Sequence, residues 1–550
     1  MERLKQLYQN NLKSNILSKE RLKLLIKNIA FGFAYKLAIT RLKKIVKNSS
    51  AKPKILKKGK KRIVFGSVYA MYGRLIYWEW ALAKALQLRG HDVKVLTCGK
   101  TLPLCTGEHT ISRLHDDKTC RHCVDFSSEF LEISKIPYNT YKDYISEKEI
   151  EEIKDKVNKL SKKECYNYVY KNIEVGTLSK NATIRYFEGS IDPDEQFYLH
   201  ILHSELVNSI IATKAAERFL KKEKVDILVS RHLGYSSWGS FAEYCISKGI
   251  RVVAPGGGYK KNTLSFDMDD ISNSFGRYYQ DIRKKKFLNK DEEKELKSFF
   301  DSRIAGKEGD TIDYDFSLNE IEEDLFEFNK YDKTYAMFPN VPWDSSLLNA
   351  NRSFKDVYEW VSHTIELFKS KPNYQLIIKI HPSEFSVMKS KNTVLDYIKN
   401  NFSSLPENIK VIPPNTKISP YNLFKHIDVG MVYNGTIGLE MALNDIPVVV
   451  VGTTHYGEKG FTYDISSRDE YEAILSKKIS TLPKQNDLAK VYAYFYFIKS
   501  FIPYNYVTMN KRTLNFGWNI KSFDDFVEGR DYYLDKICDY IINNGIYQDW

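Results

Sequence analysis

The chain has 550 residues, too many for a single hydrophobic core, so its length predicts at least two domains. Hydrophobic residues make up 43% of it and charged residues 28%, which is typical of packed globular proteins and excludes wholesale disorder. The net charge of +14 is concentrated in residues 1–62, which hold 19 Lys or Arg against two Glu. The remainder carries 64 basic and 67 acidic residues, so the body lacks the charge of a nucleic-acid-binding protein.

Residues 1–60 are predicted to form a basic amphipathic arm. Apolar residues between Leu22 and Leu37 recur at helical spacing, with lysines off that stripe. Lys27 and Lys36 interrupt the apolar run, so we expect neither a signal peptide nor a membrane span. Such a helix fits an anionic membrane surface, reached through residues 1–62, and also fits packing on the protein's own body. We expect a cytoplasmic protein, peripheral at the inner face of the cell membrane, whose seven cysteines form no disulfide framework.

Alternating strands and helices predict an α/β fold with two Rossmann-like domains, each a doubly wound parallel sheet. The first series starts with a strand at Arg62, a helix that ends before Gly90 and a second strand from Asp92. We expect a first domain over 61–330 with helical insertions, a second over 331–480 and a helical tail over 481–550. The strongly charged stretch 276–332 is predicted to form surface helices and a connection between the domains.

A tight turn, Asn434-Gly435-Thr436, joins a buried strand to a helix in the second series. A helix N-terminus offers backbone N–H groups and a positive dipole end to a phosphate. Gly435 would permit the turn, and Gly438 would let a ligand approach the first helical turn. Glu440, one turn further, could accept hydrogen bonds from ribose hydroxyls. The alternative is an ordinary βαβ unit whose glycines serve packing.

The pair His381-Pro382 stands at the carboxyl end of the strongest predicted strand. Ligands of open α/β sheets bind at this edge, where a His can donate to a phosphate or a nucleobase and Pro382 fixes the chain as it leaves the strand. A surface His at a strand end is the alternative. Because this pair and the turn fall at the same edge of one sheet, they are predicted to converge on one ligand.

Three segments resemble the C-terminal half of capsule-polysaccharide glycosyltransferases, including relatives of the Kdo transferases: His381-Pro382, YNGTIGLEMAL before PVVVVG, and HYGEKGFTYD. The resemblance covers about 334–475 and is weaker in the first domain. It implies a GT-B fold and a donor site in which the nucleotide is faced by His381, Asn434, Gly435, Thr436 and Glu440. It also implies a second group that closes the donor site: Gly460, Phe461, Thr462 and Asp464.

By the same resemblance, the function would be transfer of a sugar from a nucleotide-activated donor to a growing surface polysaccharide or a lipid-linked glycan. Such enzymes stabilise the leaving phosphate with helix N-termini and basic side chains, so no cofactor or metal is expected for catalysis. Three alternatives stay open. They are a glycerophosphotransferase that uses a CDP-activated polyol, a sugar-nucleotide epimerase, and a non-catalytic GT-B-like scaffold that binds polysaccharide.

The catalytic base is predicted only as a set of three candidates. Transfer with inversion needs a carboxylate or a His to deprotonate the acceptor hydroxyl. The candidates are Glu79 at the start of the first helix, His232 after a strand of the first series, and Asp344 after a strand of the second. Each also has a plain structural interpretation as a helix-end charge, a loop residue or a cap.

Four cysteines fall within 26 residues, at Cys98, Cys105, Cys120 and Cys123. Four thiolates at this spacing could hold a structural zinc ion, although only the last two form a true CxxC pair. Free thiols in a cytoplasmic loop are the alternative interpretation.

Overall fold

The computed structural model describes the chain outside these residues: 1–34, 56–58, 67–72, 106–116, 189–193, 232, 258–259, 261, 267–283, 306–325, 344–350, 386–391, 417, 477–485, 511–514 and 544–550. The chain divides into two compact units. The first comprises Met1–Ala182, Leu199–Pro255 and Tyr504–Gly545, and the second Thr183–Tyr198, Gly256–Pro503 and Ile546–Trp550.

The first unit is built on a five-stranded, wholly parallel sheet. Its strands are β1 (Arg62–Phe65), β2 (Asp92–Thr97), β3 (Tyr138–Thr140), β4 (Ile227–Val229) and β5 (Arg251–Val253). The spatial order β3-β2-β1-β4-β5 is that of a Rossmann-like sheet. Strands β2 and β3 are added on one side of β1, and β4 and β5 on its other side, so the order of the strands reverses at β1.

Helices fill the connections of the first sheet. They are α1 (Gly73–Leu88), α2 (Asp117–Ser134), α3 (Glu147–Val157), α4 (Lys162–Tyr166), α5 (Val175–Tyr186), α6 (Glu195–Lys222) and α7 (Ser236–Ser247). Helix α5 continues past Ala182 into the second unit. Gly90 and Gly249 follow α1 and α7 with φ of 92° and 73°, the left-handed conformation expected after a helix end.

The second unit contains a six-stranded parallel sheet in the order β10-β9-β8-β11-β12-β13. Its strands are β8 (Lys333–Phe338), β9 (Tyr374–Lys379), β10 (Ile409–Ile412), β11 (Val429–Val432), β12 (Val448–Val450) and β13 (Tyr463–Asp464). Alternate residues point to opposite faces, so Tyr335 and Met337 join one apolar cluster while Ala336 and Phe338 join the other. With two Rossmann-like parallel sheets present, the predicted fold class is confirmed.

Helices cover both faces of the second sheet. One face packs against α8 (Lys290–Ile304), α12 (Ile437–Leu443) and α14 (Asn486–Tyr494), which runs into a π-helical segment, Phe495–Lys499. The other packs against α9 (Val357–Lys369), α10 (Val394–Asn401) and α13 (Arg468–Ser476). A single helical turn, α11 (Pro420–Leu423), lies between β10 and β11, and Ser419 caps it as the sequence predicts.

The compact units divide the chain differently from the predicted boundaries at 330 and 480. Helix α8 lies in the stretch expected to form surface helices and a connection, yet Leu296 and Phe299 are buried in the core of the second unit. The chain also forms two small antiparallel sheets. In the first, β7 (Thr263–Ser265) pairs with β6 (Gly256–Gly257) on one side and with β14 (Ile502–Pro503) on the other, and in the second β15 (Val507–Asn510) pairs with β16 (Asn515–Trp518).

The expected tail is therefore shared between the units. Its residues up to Pro503 belong to the second unit, and Tyr504–Gly545 belongs to the first. In the first unit the ring of Trp80 on α1 lies 5.1 Å from that of Trp518, and a last helix, α15 (Tyr532–Asn543), buries Leu534 and Ile537. The aromatic character of this part of the chain is visible in the sequence. In the structure, Trp518 uses it to pack against Trp80 of α1.

The described part of the basic arm contains a helix over residues 35–47. It buries Ile39, Leu42 and Ile45, and the Tyr35 ring lies 5.0 Å from that of Phe126 on α2. For these residues, packing on the protein's own body is what the structure shows. Leu37, the last residue of the predicted apolar stripe, is 62% exposed, and the rest of that stripe lies outside the described residues. Within the described chain no helix has both the length and the apolarity to cross a bilayer.

Candidate donor site at the second sheet

The polar residues predicted to bind a donor follow strands β9 and β11, which flank β8 in the sheet. Neighbouring strands lie about 4.8 Å apart, so the carboxyl ends of β9 and β11 are separated by about 10 Å. Chain turns after β8, β9 and β11 thus share one edge, as the sequence predicts.

His381 heads a short 3₁₀ turn, Pro382–Glu384, directly after β9. Its Nδ1 accepts a hydrogen bond from the Ser383 backbone N–H at 3.1 Å. In the neutral ring the proton therefore lies on Nε2, which makes that atom a donor. The turn ends at Glu384, a buried carboxyl that accepts from the Val394 N–H at the start of α10. Burial raises the pKa of Glu384 to about 8.

The turn after β11 is hydrogen-bonded to the loop that follows β8 and to the loop over 452–462. The Asn434 N–H donates to Asn340 Oδ1 at 3.4 Å, and the Gly435 carbonyl accepts from the Tyr456 hydroxyl at 2.6 Å. Thr436 starts helix α12 without a side-chain cap. The helix has seven residues and ends at Leu443, as the sequence pattern predicts, and three of its amides bond back into the turn.

Gly438 has a different role from the one predicted. A Cβ at this position would overlap the Tyr456 hydroxyl, and it would stand 3.0 Å from Val432 Cγ2. The space that the glycine leaves open is therefore filled by the protein's own Tyr456. A Cβ at Gly435, by contrast, would have no neighbour nearer than 3.7 Å.

Glu440 is held inside the protein rather than presented to a ribose. It is 2% exposed, and its Oε1 accepts from Arg303 Nε on α8 at 2.9 Å. Tyr421 completes the group, with its hydroxyl 3.2 Å from the same Arg303 nitrogen. In the described structure this carboxylate joins α12 to α8, two helices on the same face of the sheet.

The residues expected to close the donor site divide into a core residue and a polar group. Phe461 is fully buried in the apolar cluster, so its side chain anchors the loop over 452–462 to the core. Thr462 donates to Asp464 Oδ2 at 2.8 Å, and burial raises the pKa of Asp464. Gly460 adopts a φ of 91°, which favours glycine at this bend.

His455 anchors the same loop to the late helices, in a contact that sequence reasoning missed. Its ring stacks on Tyr496 of the π-helical segment, with centroids 4.1 Å apart. The Tyr492 hydroxyl donates to the His455 carbonyl at 2.7 Å, so the 3.0 Å contact with Nδ1 is a bond that the imidazole donates. Burial, with Lys459 nearby, lowers the pKa of His455 to about 3, and the ring is therefore neutral.

Lys379, the last residue of β9, stands two residues before His381 and was given no role by the sequence analysis. It is 3% exposed, and in the described part of the chain the one hydrogen bond of its Nζ reaches Thr416 Oγ1 at 3.5 Å. Burial lowers its pKa to about 8. A lysine at the end of the mostly apolar run YQLIIKI was the signal that could have identified it.

Of the three base candidates, the structure describes Glu79, which is fully buried on α1. His232 and Asp344 lie outside the described residues. A carboxyl that the sequence did not single out, Glu205 on α6, accepts from Ser236 Oγ and from Asn208 Nδ2, and burial raises its pKa to about 7. Asn208 also donates to the Leu104 carbonyl at 2.8 Å, so this side of α6 holds the loops after β2 and β4.

The four clustered cysteines are free thiols in the structure. Burial raises the pKa of Cys98 to about 12, with further contributions from Cys123 and Cys120, so these three side chains lie near one another. Among the described residues no group of three or more His, Cys, Asp or Glu side chains is placed to hold a metal ion. A structural zinc ion stays a prediction.

The match of the chain to a known family falls on this second unit. Residues 288–501 match the model of a family described as capsule polysaccharide biosynthesis protein. The match covers this region alone, so the similarity to that family is a property of residues 288–501. The resemblance predicted from the sequence is confirmed there, and the match includes α8 and α14, which sequence reasoning had left outside the domain. A comparison with curated proteins finds no match.

Solved structures with detectable similarity are distant. The β-Kdo 2,4-transferase KpsC of Thermosulfurimonas dismutans is 13% identical, covering 58% of this chain and 88% of its own, with a TM-score of 0.36. The β-Kdo 2,7-transferase of the same organism is 13% identical, covering 51% and 79%, with a TM-score of 0.30. UDP-GlcNAc 2-epimerase of Neisseria meningitidis, bound to UDP-GlcNAc, is 12% identical, covering 79% and 97%, with a TM-score of 0.24. At TM-scores below 0.5 these similarities carry no argument about activity.

Proposed function

We propose that this protein is a glycosyltransferase that moves a sugar from a nucleotide-activated donor to a growing capsular polysaccharide or its lipid-linked precursor. One observation carries the proposal: within the region that matches the capsule polysaccharide biosynthesis family, His381 and the turn 434–436 lie at the same edge of a parallel sheet. Ligands of such sheets bind at that edge. The His381 Nε2–H supplies a donor for a phosphate or a base there.

The donor proposal is tested by thermal stabilisation with UDP, GDP, CMP, CDP and dTDP. A nucleotide that binds only the folded protein should add about 2.7 kcal/mol at a hundred times its dissociation constant. His381→Asn removes the imidazole but keeps a side-chain acceptor for the Ser383 N–H, so loss of binding in this variant reports on the ring itself. His363→Ala, on helix α9, is the matched control histidine.

The nucleotide that binds also decides between the alternatives. A response to CDP with release of a polyol phosphate would favour the glycerophosphotransferase, and epimerisation of a nucleotide sugar without an acceptor would favour the epimerase. No response from folded protein, together with polysaccharide binding, would favour the scaffold. Transfer itself is measured as nucleotide release from the matching sugar donor, which we propose to be independent of metal and therefore unchanged by EDTA.

We place the acceptor at an anionic membrane surface, reached through the basic arm of residues 1–62. In support, the helix over residues 35–47 leaves Lys36, Lys44 and Lys47 exposed on the face away from its buried stripe. Co-sedimentation with vesicles of anionic lipid, but not of neutral lipid, is expected and should weaken with salt. Binding that survives deletion of residues 1–34 would assign it to the described helix, and equal binding to neutral vesicles would contradict the proposal.

A further inference from the structure

Two lysines are buried in the described part of the chain, and they differ in what surrounds the ammonium group. Lys84 Nζ, in the first unit, donates to the Ser134 carbonyl and to Gln87 Oε1, both at 2.8 Å, and lies 4.6 Å from the centre of the Phe523 ring. These contacts satisfy a buried cation within the fold. Lys84 is therefore an ordinary structural lysine.

Lys379 lacks such an environment. Its bond to Thr416 Oγ1, at 3.5 Å, is at the outer limit for a hydrogen bond. The Thr416 hydroxyl already donates to the Pro413 carbonyl at 2.9 Å, so its oxygen can only accept. An ammonium group has three N–H donors, and a buried charge without partners is costly.

No acidic side chain among the described residues compensates this charge. The pKa of Lys379 is lowered by burial, and no charged neighbour contributes to the change. A buried ammonium without an internal counter-charge is stabilised when an anion binds beside it, because the interaction is strong where water is excluded.

The position of Lys379 indicates the source of that anion. It ends β9, two residues before His381, at the sheet edge that the turn 434–436 shares. The loop that follows β10 supplies Thr416 from the neighbouring strand, since Ile412 pairs with Lys379. The charge thus stands at the edge where a donor would place its phosphate.

From this geometry we propose that Lys379 is a binding residue for a phosphoryl group of the nucleotide donor, and that the bound phosphate supplies the counter-charge that the fold omits. The inference rests on the proposed function for the identity of the nucleotide. The anion site itself rests on the buried ammonium at the carboxyl edge. Lysine binds phosphate as a compact point charge with three donors.

The test compares Lys379→Met with the matched variant Lys84→Met in thermal-shift and calorimetric titrations. The probes are inorganic pyrophosphate, the nucleotide that stabilises the wild type, and its nucleoside without phosphate. Lys379→Met should bind both phosphate-bearing probes at least about tenfold more weakly, while its unliganded melting temperature equals or exceeds that of the wild type. Lys84→Met should melt at a lower temperature and keep its affinity.

The outcomes separate this inference from the proposed function. A nucleotide that binds Lys379→Met as well as it binds the wild type, yet fails to bind His381→Asn, overturns the inference and leaves the function standing. Binding of pyrophosphate that depends on Lys379, with no nucleotide bound, supports the anion site and overturns the donor proposal. If no phosphate-bearing probe binds the wild type, both are overturned. Lys379→Gln, which keeps a hydrogen-bonding group, serves the same comparisons if the Met variant does not fold.

Discussion

Arg303 donates from Nε to Glu440 Oε1 over 2.9 Å, between two side chains that solvent hardly reaches. Glu440→Ala would leave the guanidinium buried without its partner, and breaking such a pair costs about 3–5 kcal/mol. We therefore expect Glu440→Ala to lower the free energy of unfolding by that amount, measured by urea denaturation. The double variant Arg303→Met/Glu440→Leu should recover most of the loss, because apolar residues of similar volume replace the pair.

A different result would restore the ribose role that the sequence suggested for Glu440. In that case Glu440→Ala would unfold at the wild-type urea concentration but would no longer bind the nucleotide. Loss of stability with retained affinity is what the ion pair predicts.

The Arg303–Glu440 pair is a contact that could not be predicted from the sequence, whereas most strands of the same sheet could. Five of the six strands of the second sheet were predicted to within about a residue or two, because a strand buried on both faces reads as a mostly apolar run such as YQLIIK. The two-residue strand β13 was not predicted. Helix α8 was assigned to the surface because Leu296 lies within the charged run KDEEKELK and Phe299 follows two residues after it. Arg303 stands 137 residues before Glu440, so no local pattern could join them.

The sequence locates the candidate residues at strand ends, and their binding roles stay predictions. His381 and the turn 434–436 follow from strand ends, which a sequence pattern locates. That Gly438 makes room for Tyr456, and that His455 stacks on Tyr496, depends on long-range packing that no spacing rule contains. The division of the late chain at Pro503 and Tyr504 is equally a tertiary result.

Gly438 should be intolerant of a side chain, whereas Gly435 should accept one. Gly438→Ala forces a methyl group against the Tyr456 hydroxyl and Val432, and overpacking of this kind costs about 1–3 kcal/mol. Gly435→Ala meets nothing nearer than 3.7 Å and should be nearly neutral. Urea unfolding of the two variants gives the comparison.

Tyr456→Phe refines this prediction. It removes the bond to the Gly435 carbonyl, worth about 1 kcal/mol, and also removes the atom with which the new methyl group collides. Adding Gly438→Ala to Tyr456→Phe should therefore cost less than adding it to the wild type. If Gly438→Ala keeps wild-type stability and loses nucleotide binding, the space beside Gly438 belongs to the ligand instead.

Cys98 should react slowly with thiol reagents. Burial raises the pKa of its thiol to about 12, so at pH 8 almost none of it is the reactive thiolate. With a disulfide-forming reagent we expect Cys98 to be modified well after Cys120, followed by mass spectrometry. A chelator should leave that rate unchanged. An increase in the rate with chelator, accompanied by release of one zinc ion per chain, would instead establish the structural zinc site.

Glu384 predicts a dependence of stability on pH. Its pKa is about 8 in the folded protein, against an ordinary value near 4.5, so folding takes up a proton between those two pH values. The stability that this group contributes is complete below about pH 4.5 and is lost as the pH rises through 8. Glu384→Gln keeps a neutral acceptor for the Val394 N–H and has no proton to lose.

The unfolding free energy of Glu384→Gln should therefore rise relative to that of the wild type between pH 5 and pH 8, by at most about 1.4 kcal/mol for each unit of pKa change. Chemical denaturation at four pH values measures that difference. Glu366→Gln, at an exposed position on helix α9, should follow the wild type throughout. Parallel profiles for Glu384→Gln and the wild type would show that the carboxyl is ionised in the folded protein, and the turn headed by His381 would then end in a buried charge.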